Sequence, residues 1–173
     1  MGSRLIPTLI CLALIFVIVA LMRKGWNSRK RSQSTWGKLA EVPAHYDDLT
    51  PLAVIPGTYV STTVMGDWLD RIATDTLGVK SEARLLIYKE ALIVERQGAQ
   101  DIFLSDRDIL GVRLQSGATG KFVEKDGLLI VSWNYEQQKA DFAFRSQFSE
   151  DKLRAQQLIE QMAPAAFTSL PES

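Results

Sequence analysis

One histidine, His45, and one cysteine, Cys11, are all that the 173 residues offer of the side chains that most often bind transition metals or relay protons. A structural zinc site needs four ligands, and His45 has no partner at ligand spacing. A Ser–His–Asp relay would have to draw its base from a stretch read below as linker, a poor platform for a group held in one orientation. The run "GATGK", Gly117 to Lys121, invites a phosphate-loop reading. Such a loop needs four residues between its glycines and a Ser or Thr after the lysine; here there are two, and Phe122 follows. It also resembles the GxxG loop of KH domains, but no helix pair surrounds it. A flexible strand connection is expected. Asp67, Asp70 and Asp75 could gather on a cation, yet their spacing lacks the alternating ligands and central glycine of a calcium loop, so a solvated acidic loop is expected. With no clustered nucleophile, base or ligand set, the chain is not expected to be an enzyme or to hold a cofactor or metal.

The elements that would position any site are short. From Val54 onward, β-rich runs alternate with turns. "TYVSTTVMG" opens the body, and "DWLDRIATDTLG" reads as a loop with a helical turn. In "ARLLIYKEALIVERQG" two apolar runs flank a tight "YKEA" hairpin. "DIFL" is a short strand, and "SDRDI" reads as one helical turn capped by Ser105. In "ILGVRLQ", Leu110, Val112 and Leu114 share a face. "KFVEKDGLLIVSW" places Asp126-Gly127 between apolar runs, a hairpin signal because both turn positions favour positive φ. "ADFAFR" is the last strand. "SEDKLRAQQLIEQMA" then changes period: Ser149 is the expected cap, Glu150 and Asp151 suit the first turn, and Ala155, Leu158, Ile159 and Met162 form a helical stripe. The expected fold is mainly β: a bent antiparallel sheet or partly open barrel of seven to eight strands, with one end closed by the C-terminal helix. This is the element order of a pleckstrin-homology-like (PH-like) domain.

The beginning of the chain is of another kind. Leu5 to Met22 is an 18-residue apolar run without a charge. As a helix it would be about 27 Å long, close to the ~30 Å hydrocarbon thickness of a bilayer. The exit "ALMRKGW" is bulky and charged where a signal peptidase requires small residues, so a retained anchor is expected. Residues 1–40 carry seven basic groups and no acid, and the remainder a net charge of −7. Arg23, Lys24, Arg29, Lys30 and Arg31 follow the run, against Arg4 before it, which places the N-terminus outside and the body in the cytoplasm by the positive-inside rule. The expected organisation is a transmembrane helix over 5–22, a basic juxtamembrane stalk and linker over 23–53, a PH-like domain over 54–163 and a disordered tail over 164–173. Arg23, Lys24, Trp26, Arg29, Lys30 and Arg31 are the candidate membrane-surface residues, since basic groups there gain about 1 kcal/mol each from anionic lipid.

The stretch "GVKSEARLLIYKEALIVERQGAQDIFLSDRDILGVRLQSGATGKFVEKDGLLIVSW" followed by "FAFR" resembles a family of actinobacterial membrane proteins with one N-terminal span and a bacterial PH-like domain. "ERQG", "GATGK", "GLLIVSW" and "FAFR" are its most specific pieces. The resemblance implies a location in the cell membrane and no catalytic residues. Genes of the family often lie among pyrimidine-biosynthesis genes, and members are often labelled transporter. One span cannot line a substrate pathway with its own helices, so that label would require a multi-span partner. The expected function is a membrane-anchored interaction module that presents a cytoplasmic domain at the inner leaflet to a protein partner. The alternatives are sensing of an anionic lipid or small ligand, or an accessory role in a transporter or membrane-associated enzyme assembly. The bilayer and a protein are the expected partners, and nucleic acid is not. Around the first strand connection Arg71, Lys80 and Arg84 face Asp67, Asp70, Asp75 and Glu82, a poor trap for a phosphorylated headgroup.

Overall fold

The computed structural model describes residues 37–115, 117–118, 121–122 and 127–164. The expected span at 5–22, the basic cluster from Arg23 to Arg31, and residues 165–173 lie outside them. Among the described residues no helix is long and apolar enough to cross a membrane.

Among the described residues, ten strands precede one α-helix: β1 Ala53–Val64, β2 Asp67–Arg71, β3 Ser81–Ile87, β4 Ala91–Arg96, β5 Ile102–Ser105, β6 Ile109–Gln115, β7 Gly117–Ala118, β8 Lys121–Phe122, β9 Leu128–Tyr135, β10 Gln138–Ser146 and α1 Ser149–Met162. The main sheet runs β5-β4-β3-β1-β10-β9-β6, with β2 also on β1, and every pairing is antiparallel. The 12 residues of β1 are rich in β-branched side chains and belong to two half-sheets. Its first half pairs with β3, from Ala53 opposite Ile87 to Tyr59 opposite Ser81. Its second half pairs with β10, from Gly57 opposite Ser146 to Val64 opposite Ala140.

At Gly57 β10 crowds β1. A Cβ there would meet the Arg145 carbonyl and lie 2.7 Å from Cζ of Phe144, so only glycine allows this approach. A register shift between Tyr59 and Ser61 then lets both Tyr59 and Thr62 face the core.

Alternation does the rest. Leu129, Val131, Trp133 and Tyr135 of β9 and Ala140, Phe142 and Phe144 of β10 point into one core with Leu85, Ile87, Leu92 and Val94. Ala155 and Ile159 of α1 are buried in it, and Leu158 and Met162 pack against it. The stripe expected from the helical period is therefore the face that caps the half-barrel.

Local details depart from the sequence reading. Ser149 is the first helical residue, and Phe148 occupies the cap without a side-chain hydrogen bond. "SDRDI" forms a turn, not a helix: Asp108 reaches back so that its carboxylate accepts from the Ser105 amide (3.2 Å) and hydroxyl (2.8 Å). β9 pairs with β6 and β10, and Asp126 lies outside the described residues. β7 and β8 pair with each other.

Residues 37–48, read from composition as linker, are ordered against the domain. Leu39 is buried in the core. Val42 and Tyr46 pack on the outer cluster of Leu86, Tyr88, Ala91 and Ile93, with the Tyr46 ring 4.9 Å from Tyr88 and 5.4 Å from Phe103. Apolar burial against distant strands fixes this stretch, although no local period marks it.

Candidate functional site

A cleft of about 880 Å³ opens where the half-sheets diverge from β1. Its floor is the outward face of four strands. Arg145, Thr58 and Glu82 form one row across β10, β1 and β3, and Pro56, Arg84 and Glu95 another across β1, β3 and β4. Adjacent strands lie about 4.8 Å apart, so Arg145 and Glu82 stand roughly 10 Å apart across Thr58. Arg84 and Glu95 are directly opposite, and their charged groups meet at 2.5 Å. Gln147, Ser149 and Lys152 wall the cleft where β10 gives way to α1. Their chain neighbours Phe148 and Leu153 are exposed large apolar residues, at 58% and 57%. The cleft thus offers charges of both signs. No nucleophile–base pair is among its lining residues.

Two buried polar networks brace the surroundings. Arg96, at the end of β4, is only 4% exposed. Its Nε donates to the Gln100 carbonyl (2.7 Å), Nη1 to the Thr76 carbonyl (3.1 Å), and Nη2 to the carbonyls of Asp75 (3.2 Å) and Gln100. Its guanidinium carbon lies 4.9 Å from the centroid of the Tyr59 ring. Burial pushes its pKa below the usual arginine value, and Tyr59, Asp101 and Asp75 oppose that shift. Asp75 and Thr76 both have positive φ (50° and 59°), so the clamp holds a turn that L-residues adopt at a cost. The Tyr59 hydroxyl donates to the Leu77 carbonyl at 2.6 Å and lies 2.5 Å from the Thr62 hydroxyl. Burial pushes its pKa up to about 12, against the Thr62 hydrogen bond and the Arg96 charge.

On the outer face of the other half-sheet, the Asp141 carboxylate accepts from Ser132 Oγ and from Arg113 Nη2, both at 2.6 Å. Arg113 Nη1 also donates to Ser132 Oγ at 2.8 Å. This Ser–Asp–Arg trio ties together the neighbouring strands β6, β9 and β10 on that face.

The residues singled out from sequence fall as follows. The six candidate membrane-surface residues lie outside the described residues, as do the side chains of Gly117 to Lys121. His45 is exposed in a 3-10 turn, its ring 4.3 Å from that of Tyr46. Asp67 and Asp70 are exposed on β2, whereas the Asp75 carboxylate turns inward to accept from the Leu39 amide. The three therefore do not converge, and among the described residues no three His, Cys, Asp or Glu side chains are grouped to hold a metal. Arg84 is engaged by Glu95. Sequence reasoning passed over Arg96 and Arg145; Arg96 stands in "ERQG", one of the stretches that carried the family resemblance.

A half-barrel of antiparallel strands closed by a C-terminal helix is a PH-like fold. The chain belongs to the bacterial PH domain-like family, whose model matches residues 36–163. No curated protein matches it. Among solved structures it is similar to the C-terminal domain of an unknown protein from Leishmania infantum, with 12% identity over 68% of this chain and 88% of that one, at a TM-score of 0.44. It is also similar to the DH/PH domains of p115-RhoGEF (13% identity, 75% of this chain and 35% of that one, TM-score 0.43). A third is Vav1 inhibited by an allosteric inhibitor (15% identity, 83% and 34%, TM-score 0.41). The chain spans about a third of each of the last two.

Proposed function

We propose that this protein is an interaction module that docks a protein partner in the cleft between β1, β3, β4, β10 and the start of α1. The cleft itself carries the reading. It is open, its floor bears an ordered pattern of charges, and the exposed apolar residues Phe148 and Leu153 are chain neighbours of the residues that wall it. A polypeptide can match both kinds of surface at once. A phosphorylated headgroup is disfavoured, because Glu82, Glu95 and Asp101 stand among Arg84, Arg145 and Lys152 and weaken the local field. A photo-crosslinking residue at Phe148, used in cells, is expected to capture one reproducible protein, and Arg145→Glu to reduce that capture. The absence of any reproducible adduct would sink the proposal.

The same reading holds the module at the inner leaflet of the cell membrane through residues 5–22, with the N-terminus outside. The support is the uncharged 18-residue run and the basic cluster after it. Single cysteines at Ser3 and Ser169 in a Cys11→Ala background, treated in intact cells with an impermeant thiol reagent, are expected to label at position 3 alone. Labelling at 169 alone would reverse the topology.

A second reading, sensing of anionic lipid, rests on Arg23, Lys24, Arg29, Lys30 and Arg31. It requires residues 23–173 to float with anionic liposomes at low salt and to be released as salt rises.

A further inference from the structure

Beyond Arg96, which lines the cleft and holds the Asp75 and Gln100 carbonyls, the open end of the half-barrel is occupied by the chain's own Gly37–Leu39. The Leu39 side chain is 5% exposed and lies in the main core. Its N–H donates to Oδ2 of Asp75 at 3.1 Å, and its carbonyl accepts from Nε2 of Gln100 at 3.3 Å. Two residues earlier, the Gly37 carbonyl accepts from the Tyr135 hydroxyl at 2.5 Å. Asp75 Oδ2 also lies 3.3 Å from that hydroxyl.

Closing a barrel end requires a buried apolar side chain and partners for the main-chain groups buried with it. Here those partners are side chains, from two connections (Asp75 and Gln100) and the end of β9 (Tyr135), and they hold both main-chain groups of one residue plus the carbonyl two positions before it. They fix direction, spacing and side-chain size together. That is how a peptide site reads an extended segment: main-chain hydrogen bonds supply affinity and a side-chain pocket supplies selectivity. The support beneath is rigid, because Arg96 clamps the Asp75–Thr76 turn through the carbonyls of both residues. The strap that fills the site is short, and Ala40 and Glu41 after it are exposed.

We propose that this barrel end is a peptide subsite kept closed in cis by Gly37–Leu39. When the strap is withdrawn, it takes an extended segment of another protein that places a Leu-sized aliphatic residue between Asp75 and Gln100. This site adjoins the cleft through Arg96, but its test reads peptide uptake and not the Phe148 adduct, so either assignment can fail without the other.

The test uses the full chain in mild detergent and a fluorescent peptide with the sequence of residues 36–42. Leu39→Ser releases the strap, and is expected to bind the peptide saturably, at least about 10-fold more tightly than wild type. In wild type the tethered strap competes at a roughly millimolar effective concentration. Asp75→Ala added to Leu39→Ser is expected to abolish binding. A folded Leu39→Ser chain that ignores the peptide, or one whose binding survives Asp75→Ala, overturns the proposal. If Leu39→Ser alone does not fold, recovery of its near-ultraviolet circular dichroism on adding the peptide supports the site, and no recovery overturns it. Dimers with exchanged straps and no peptide uptake would assign the site to a second copy and overturn the partner as stated.

Discussion

The Arg96 guanidinium lies against the Tyr59 ring, 4.9 Å from its centroid, and both side chains are buried. A cation at that position is unusual inside a core. It is sustained because its N–H groups end on main-chain carbonyls and its face meets an aromatic quadrupole. The pair joins the end of β4 to the irregular part of β1, where the half-sheets meet.

Replacing Arg96 by Met keeps much of the stem volume but strands the carbonyls of Asp75, Thr76 and Gln100. A loss of about 3 kcal/mol is expected. Arg96→Lys is expected to lose about 2 kcal/mol, since one ammonium cannot reproduce the planar fork. Urea unfolding midpoints with unchanged slopes would verify both.

Tyr59 makes stability fall at high pH. Its folded pKa is raised to about 12 from a reference of 10.0, chiefly by burial. Below pH 10 the phenol is protonated in both states and its contribution is complete. Between 10 and about 12 the unfolded chain releases a proton that the folded chain keeps, so stability drops, by about 3 kcal/mol in all. Burial also raises the pKa of Tyr135, so its share runs the same way. Urea midpoints measured at about pH 9 and about pH 11.5 should differ less in Tyr59→Phe than in wild type. An equal drop in both would remove Tyr59 from the account.

Gly57→Ala should destabilise the fold by about 3 kcal/mol, through overpacking against the Arg145 carbonyl and the Phe144 ring. Thermal unfolding would detect it. A neutral result would mean that β1 and β10 separate easily at this point.

Asp141→Ala should cost about 2 kcal/mol, because buried Ser132 loses its acceptor and Arg113 its ion pair. Asp141→Asn keeps an acceptor and should cost about 1 kcal/mol less. Arg113→Ala combined with Asp141→Ala should fall short of the sum of the single effects, as expected for groups in direct contact.

Where one segment carried both its period and its turn chemistry, sequence and structure agree. The "YKEA" hairpin closes through the Tyr88 amide and the Ala91 carbonyl at 2.8 Å, and the helical stripe from Ala155 to Met162 faces the core. What escaped was long-range. Leu39, Val42 and Tyr46 follow no helical or strand period, and their burial depends on strands that fold around them. The cleft shows the same limit. Arg145 and Glu82 are 63 positions apart, and only the pairing of both with Thr58 makes them neighbours. Arg96 reads as a solvated end of a strand because its receptors are carbonyls, which leave no mark in a sequence.

That β1 is shared by β3 and β10 has a consequence for how the protein is made. Val64 and Ala140 must meet before the first strand has both its neighbours. A ribosome adds roughly 5–20 residues per second, so for several seconds β1 has emerged while β10 has not yet been translated. During that interval one side of β1 exposes unpaired amides and carbonyls along an apolar strand, the kind of edge that recruits other chains. The exposure ends only when β10 leaves the exit tunnel.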